Sequence, residues 1–388
     1  MIYLDHNATS PLLPSAREAM HIALEEAGNP SSVHGAGRRA RAVVEKARND
    51  VARLAGANPS AVVFTSGGSE ANALALRGAV AGACVDRNPV ARILVSAIEH
   101  ESVRANPAAI AASEDAIRFK TFPVRSDGVV DAEAFRSLLM EGAGRPLVSL
   151  MAANNETGVL QPLETIIGIV RKKCEDALIH VDAAQFAGRL PISFAELDVD
   201  YMSLSAHKFG GPQGMGALVI RDGVPFVPFS EGVQEMRRRG GTENVAGIAG
   251  FGAVAASGEF VAERDRIRAL RDSFERKLKG FAQDVVIFGV DAERLPNTSN
   301  FAIPGMAAET ALIALDLDGI ALSSGSACTS GKVSSSHVLG AMGVDPSLAR
   351  CGLRVSLGPS NTEADIEAAL AALKRLVARR AQMNVAAA

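Results

Sequence analysis

Tryptophan is absent from this 388-residue chain, and tyrosine occurs only twice. With 48% hydrophobic residues and 15 Phe as the main aromatics, the core has to be aliphatic, and the chain does not have the composition of a disordered one. Charge of one sign is also lacking. The 40 Lys and Arg against 43 Asp and Glu leave a net charge of -3, without the basic excess of a dedicated nucleic-acid binder. No apolar run approaches the roughly 18 residues of a membrane span. The N-terminus, Met1 to His6, lacks the basic and apolar blocks of a signal peptide. The four cysteines (Cys84, Cys174, Cys328, Cys351) are too few for a disulfide scaffold, and their spacings match no zinc pattern. These absences predict a cytoplasmic protein with reduced thiols and no nucleic-acid, membrane or metal partner. The length predicts two or three domains.

What is present is an alternation. Short β-branched runs at 61–65, 92–96, 146–151, 177–181, 201–204 and 216–220 alternate with Ala-rich helical patterns at 70–83 and 166–174. That order predicts a largely parallel sheet covered on both faces, with ligands at the carboxyl ends of its strands. Residues 251–281 read as one long helix connecting a large domain to a small one. Strand patterns follow at 285–288 and 299–303, and helices at 309–315 and 363–380. Thr362 and Asp365 form a capping-box pattern ahead of the last helix.

Three segments carry chemistry. In Ser205-Ala206-His207-Lys208, followed by a Gly-Gly-Pro turn, the lysine comes just after a strand end. It is either a solvated surface residue or, held in a pocket, an amine able to lose its charge and form a Schiff base. In His180-Val181-Asp182-Ala183-Ala184-Gln185, an apolar strand ends in a carboxylate that needs a cationic partner, such as the protonated ring nitrogen of pyridoxal phosphate; the plainer alternative is a helix cap. Thr65-Ser66-Gly67-Gly68-Ser69-Glu70 is a strand, a Gly/Ser turn and a helix start, either an anion site or a plain capped turn. It lacks the lysine of a nucleotide-binding phosphate loop and the dinucleotide spacing. Cys84 and Cys174 fall in helical patterns and read as buried packing residues, and Cys351 as structural.

Together these motifs resemble the class V aminotransferase group of fold-type-I pyridoxal-phosphate enzymes, and within it the cysteine desulfurases. The resemblance runs over nearly the whole chain. It includes Tyr3 to Thr9, Gly28 to Ser32, Glu99-His100, Asn154 to Gly158, Gly241 to Asn244 and Ser323 to Cys328, the last pointing to the desulfurases of iron–sulfur cluster or nitrogenase assembly.

The resemblance implies an α/β fold. A large domain (15–255) would hold a mainly parallel seven-stranded sheet, and a smaller α+β domain would take residues 1–14 and 256–388. Lys208 would hold the cofactor, Asp182 would pair with its ring nitrogen, His100 would stack on the ring as a catalytic residue, and Gln185 would contact the ring hydroxyl. Gly68, Ser69, Ser205 and His207 would bind the phosphate, and Asn155 the cofactor or substrate. Thr242 would reach the phosphate of the neighbouring subunit in a homodimer, and Arg354 would clamp the carboxylate of the substrate, L-cysteine. Cys328 would be the nucleophile, carrying sulfur as a persulfide to an acceptor such as an iron–sulfur scaffold protein. Its segment, Ser323 to Ser336, has seven Ser and two Gly among fourteen residues, a composition expected of a mobile catalytic loop.

One departure stands out. The family's Gly-Gly-Gly-Gln-Glu run is replaced here by Glu231-Gly232-Val233-Gln234-Glu235, removing two positions that tolerate positive φ. The rival readings are a selenocysteine lyase or an aminotransferase on the same fold, or a non-catalytic sulfur relay; the presence of Lys208 and Asp182 disfavours the relay.

Overall fold

The computed structural model describes residues 1–114, 116–324 and 336–386, with side chains described as far as Arg380. A short N-terminal strand, β1 (Ile2–Tyr3), precedes the strands of the main sheet: β2 (Val62–Thr65), β3 (Val90–Ser96), β4 (Arg118–Phe122), β5 (Arg145–Met151), β6 (Leu178–Asp182), β7 (Tyr201–Ser205) and β8 (Gly216–Ile220). Their order is β2-β8-β7-β6-β5-β3-β4. All neighbouring pairs are parallel except those that β8 makes with β2 and β7.

The pleat sends alternate residues to two apolar layers. Val62, Leu94, Val148, Ile179, Met202 and Val219 join one cluster, while Val63, Ile93, Leu147, Leu178, Tyr201 and Leu218 join another. Burial on both faces is why these strands read as continuous Val/Ile/Leu runs. Strand β4 escaped sequence detection because it is the sheet edge: Arg118, Lys120 and Thr121 are exposed.

The C-terminal part adds β9 (Val286–Ile287), β10 (Thr298–Ala302), β11 (Ile320–Ala321) and β12 (Gly352–Ser356). An antiparallel sheet β12-β10-β9 stands beside a parallel pair β1-β11. Leu4 packs in one cluster with Ile267, Phe274, Phe301, Leu353 and Leu370, so the N-terminal segment shares the C-terminal core. Val338, Leu339, Met342 and Cys351 pack instead with the main-sheet cluster.

Three expectations are corrected. The helix expected over 251–281 is three helices, Val245–Ser257, Glu259–Ala262 and Arg264–Phe281; Gly258, at φ +61°, turns the chain after the first, and Glu263 separates the other two. The stretch Val245–Ala262 is long and apolar enough by composition to cross a membrane, contrary to the reading of apolar runs. It is broken by that turn, and its first helix packs on helices Pro14–Glu25 and Gly35–Ala55. Cys84, expected inside, is exposed near the end of helix Gly68–Val85; Cys351 is buried and its thiol donates to the Ser347 carbonyl at 3.5 Å. The capping box forms as the pattern predicts: Thr362 N–H donates to Asp365 Oδ2 at 2.8 Å, and Asp365 N–H to Thr362 Oγ1 at 3.4 Å.

Candidate active site

Segments following the carboxyl ends of β2, β3, β5, β6 and β7 meet around one cavity of about 270 Å³, the position ligands take in such sheets. Gly68, Ser69 and Asn72 follow β2, His100 follows β3, and Asn155 follows β5. Asp182 and Gln185 come from the end of β6, and Ser205, His207 and Lys208 from the end of β7. Nine of these ten were candidates from sequence; Asn72 was not.

Asp182 is 5% exposed. Its Oδ2 accepts from Asn72 Nδ2 at 2.8 Å and its Oδ1 from the Ala184 N–H at 2.9 Å. The cap-like contact and the cavity position therefore coexist, but among the described residues this carboxylate forms no ion pair. A buried charge without a counter-charge is costly, so the cavity is suited to a cationic group that completes it. Glu99, fully buried, is held well above the usual carboxylate range by desolvation first and by Asp182 second; its Oε1 accepts from Met151 N–H at 2.6 Å and its Oε2 has no partner among the described residues.

Lys208 Nζ donates to the backbone carbonyls of Asn7 (2.8 Å) and Ala8 (3.0 Å). Desolvation, then the charges of Arg354 and Arg189, push its amine down to about 7, against the opposing pull of Asp182 and Asp5. A lysine half neutral near pH 7 has a free electron pair available to an electrophile. Arg189 is 1% exposed and, among the described residues, has no carboxylate partner. It donates to the Asn7 side-chain oxygen (2.9 Å), Gln185 Oε1 (2.5 Å) and the backbone carbonyls of His6 (3.0 Å) and Lys208 (2.8 Å). It ties the segments bearing Lys208 and Gln185 to the N-terminus. Sequence reasoning missed it, because nothing in the spacing distinguishes it from a surface arginine.

The anion cradle has the geometry its glycines require. Gly67 lies at φ +153°, ψ 174°, a glycine-only region, and caps helix Gly68–Val85 with no side-chain hydrogen bond, leaving backbone N–H groups free. A Cβ on Gly68 would stand 3.1 Å from Ser205 Cβ and fill the cradle. His207, whose Nδ1 lies 3.1 Å from Thr9 Oγ1, is pushed down to about 4 by desolvation, with Lys208 and Arg189 adding to it. The residues present thus fit pyridoxal phosphate: an amine for its aldehyde, a carboxylate for its ring nitrogen and uncapped N–H groups for its phosphate.

His100 both caps a helix and lines the cavity. It is the N-cap of helix Glu101–Ser113, and its Nδ1 accepts from Ser102 N–H at 3.1 Å, so in the neutral ring the proton sits on Nε2. Desolvation, followed by the opposing influences of Asp182 and Lys208, leaves it below the ordinary imidazole range.

Arg354, on β12, lies outside the lining of the cavity but donates to the carbonyl of Asn155, which is in it. Thr242 is not in this cavity; it lines a recess of about 150 Å³ with Thr65, Ser66, Arg239 and Asn244. Cys328 and most of the segment Ser323 to Ser336 lie outside the described residues. Of its ends, Ser323 pairs with the Arg354 backbone, and Ser336 Oγ donates to Glu156 Oε2 at 2.5 Å.

The replaced glycine run does not cost the geometry expected. Glu231 and Val233 do not take positive φ; the left-handed residues are Glu235 (+44°), Met236 (+56°) and Arg237 (+63°). Glu235 holds that turn. Its carboxylate receives Arg48 Nη1 at 2.7 Å, Arg48 Nη2 at 3.0 Å and the Phe64 N–H of β2 at 2.8 Å. A buried bidentate pair thereby fixes the backbone that glycines would have left free.

The profile of the aminotransferase class-V family matches residues 2–369. The chain is similar to the cysteine desulfurase IscS of Dictyoglomus turgidum, 39% identical over 97% of this chain and 94% of that one. It is also similar to an IscS-like cysteine desulfurase of Mycobacterium tuberculosis, 40% identical over 100% and 99%. Among solved structures, a NifS-like protein superposes with a TM-score of 0.88 at 35% identity, covering 97% of this chain and 99% of that one.

Proposed function

This chain belongs to the class-V aminotransferase family, and on that premise we propose that it is a pyridoxal-phosphate-dependent cysteine desulfurase supplying sulfur for iron–sulfur cluster assembly. One observation carries the cofactor assignment: a buried aspartate without a counter-cation and a lysine pushed toward neutrality line the same cavity. The relatives' names carry the choice of reaction.

Lys208 Nζ would hold the cofactor's aldehyde carbon, Asp182 would keep the ring nitrogen protonated, and Gln185 would bind the ring hydroxyl. Gly68, Ser69, Ser205 and His207 would bind the phosphate, and His100 would stack on the ring. When bound, pyridoxal phosphate supplies an electron sink for the pair left on the substrate's Cα. Arg354 and Asn155 orient L-cysteine by its carboxylate. The Lys208 amine would be the base for the Cα proton, since it is pushed down to about 7 and is half neutral there.

The Cys328 thiolate then forms a bond to the substrate sulfur as the substrate's Cβ–Sγ bond breaks. The pair of the broken bond stays with Cβ, which takes a proton so that alanine leaves, and Cys328 keeps the sulfur as a persulfide for an acceptor protein. A thiolate is required because the neutral thiol is a poor nucleophile. We place the enzyme in the cytoplasm as a homodimer, with Thr242 serving the neighbouring subunit's phosphate. Its position in a recess apart from the cavity of its own chain supports that role.

Intact-protein mass spectrometry after mixing with L-cysteine tests the reaction: the sulfur adduct should be lost in Cys328→Ser. Borohydride reduction and peptide mapping should place the cofactor on Lys208. A label elsewhere, or normal sulfide release from Cys328→Ser, defeats the assignment.

A further inference from the structure

Arg354 occupies the middle of β12 and is 5% exposed, yet its guanidinium is only partly satisfied. Nη1 donates to the Asn155 carbonyl at 2.9 Å, and Nη2 donates to Asp5 Oδ1 at 2.6 Å. Nε is buried and has no partner among the described residues. A buried donor left unmade is expensive, and more so on a cation, so an anion brought to this guanidinium would complete it. A carboxylate is the matching shape, because its two oxygens take parallel N–H bonds from one edge of a guanidinium.

What orients that guanidinium is Asp5. Its backbone pairs with Ser356, two residues beyond Arg354 on the same strand, and its carbonyl accepts from the Tyr3 hydroxyl at 3.1 Å. The Asp5 carboxylate is therefore carried on a segment registered to β12. Without it the guanidinium would keep, among the described residues, a single hydrogen bond, to a carbonyl of the loop bearing Asn155. Asp5 also offsets charge near the cavity, where Arg354 and Arg189 both oppose a cationic Lys208.

We propose that Asp5 is a positioning residue for substrate selection. By holding Arg354 through Nη2, it fixes the guanidinium that would take the α-carboxylate, so that the site prefers amines bearing a carboxylate over the same amines without one. This rests on the reading of Arg354 as the carboxylate clamp of the desulfurase.

The test compares equilibrium binding of L-alanine, the product, with that of ethylamine, which lacks only the carboxylate. Both are titrated into the holoprotein and followed by the cofactor's absorbance. Asp5→Asn should weaken L-alanine on the order of ten-fold, the scale of a lost charge-assisted contact, and ethylamine less than about two-fold. Asp5→Glu should recover part of the loss, with cofactor content and melting temperature unchanged.

Equal weakening of both ligands would show that Asp5 is merely structural, and tighter alanine binding would show that it competes with the substrate; either overturns the proposal. Arg354→Gln separates the premise from the inference. If it leaves the alanine-to-ethylamine ratio intact, the clamp reading falls and the proposal with it. If it abolishes the ratio while Asp5→Asn does not change it, only the role of Asp5 falls.

Discussion

Two buried aspartates stand at opposite ends of the same sheet and are treated in opposite ways. Asp200, 3% exposed at the amino end of β7, receives Arg171 Nη2 at 2.8 Å, Arg221 Nε at 3.5 Å and the Ile179 N–H at 2.7 Å. Asp182, 5% exposed at the carboxyl end of β6, has an amide and one backbone N–H, while the neighbouring lysine binds carbonyls instead. The first carboxylate is neutralised by its own chain and holds strands together. The second has no cation to pair with among the described residues. Burial alone does not distinguish a structural acid from a functional one; the counter-charge does.

Substitutions at the two ends should separate rate from stability. The largest effect is expected for Asp182→Asn, which keeps the shape but loses the charge: turnover should fall by roughly 10²–10³-fold or more, with cofactor still bound, in a steady-state alanine-release assay. Unchanged turnover would make Asp182 only a turn cap.

Asp200→Asn should do the reverse. It should cost about 2 kcal/mol in chemical denaturation, held below the cost of a fully buried pair by the partial exposure of Arg171 and Arg221, and leave turnover within about two-fold. Asn72→Ala removes one of the two contacts to Asp182 without touching its charge; a drop in turnover of about ten-fold is expected, between the other two.

The smallest effect is a shift on the pH axis. Capture of pyridoxal phosphate by the cofactor-free protein needs the neutral amine of Lys208, which is pushed down to about 7. Stopped-flow capture rates should therefore rise with pH and level off above about 7, well below the range of an ordinary lysine near 10. Asp182 favours the charged amine, so Asp182→Asn should move that midpoint downward, and Asp200→Asn should leave it in place. A midpoint near 10 in the native protein would show that the amine is not desolvated.

The main sheet was legible because its strands are buried on both faces, and continuous Val/Ile/Leu runs announce that condition. Edge strand β4 was not, since a strand with one exposed side and a charged pattern, Arg118-Phe119-Lys120-Thr121-Phe122, resembles a surface loop. Helix Gly35–Ala55 went unread although Ala40, Val44, Ala47 and Val51 mark its buried face, because small alanines give a weak contrast with its arginines. At the site, Lys208, Asp182 and Gly68 were found by their place at strand ends. Asn72 carried a usable signal, one helical turn after Gly68 on the same face; Arg189 carried none.

Residue order along the chain thus determined which side chains have the chemistry. A lysine after one strand, an aspartate closing another and glycines opening a helix are local facts, written within a few residues each. Only the tertiary structure decided their charge states and companions. It brought the Asn7 and Ala8 carbonyls to Lys208 from some two hundred residues away, gave Arg354 the carboxylate of Asp5, and put Asp182 beyond the ion-pair reach of any described cation. Protonation and pairing depend on distance and on excluded water, and long-range packing sets both.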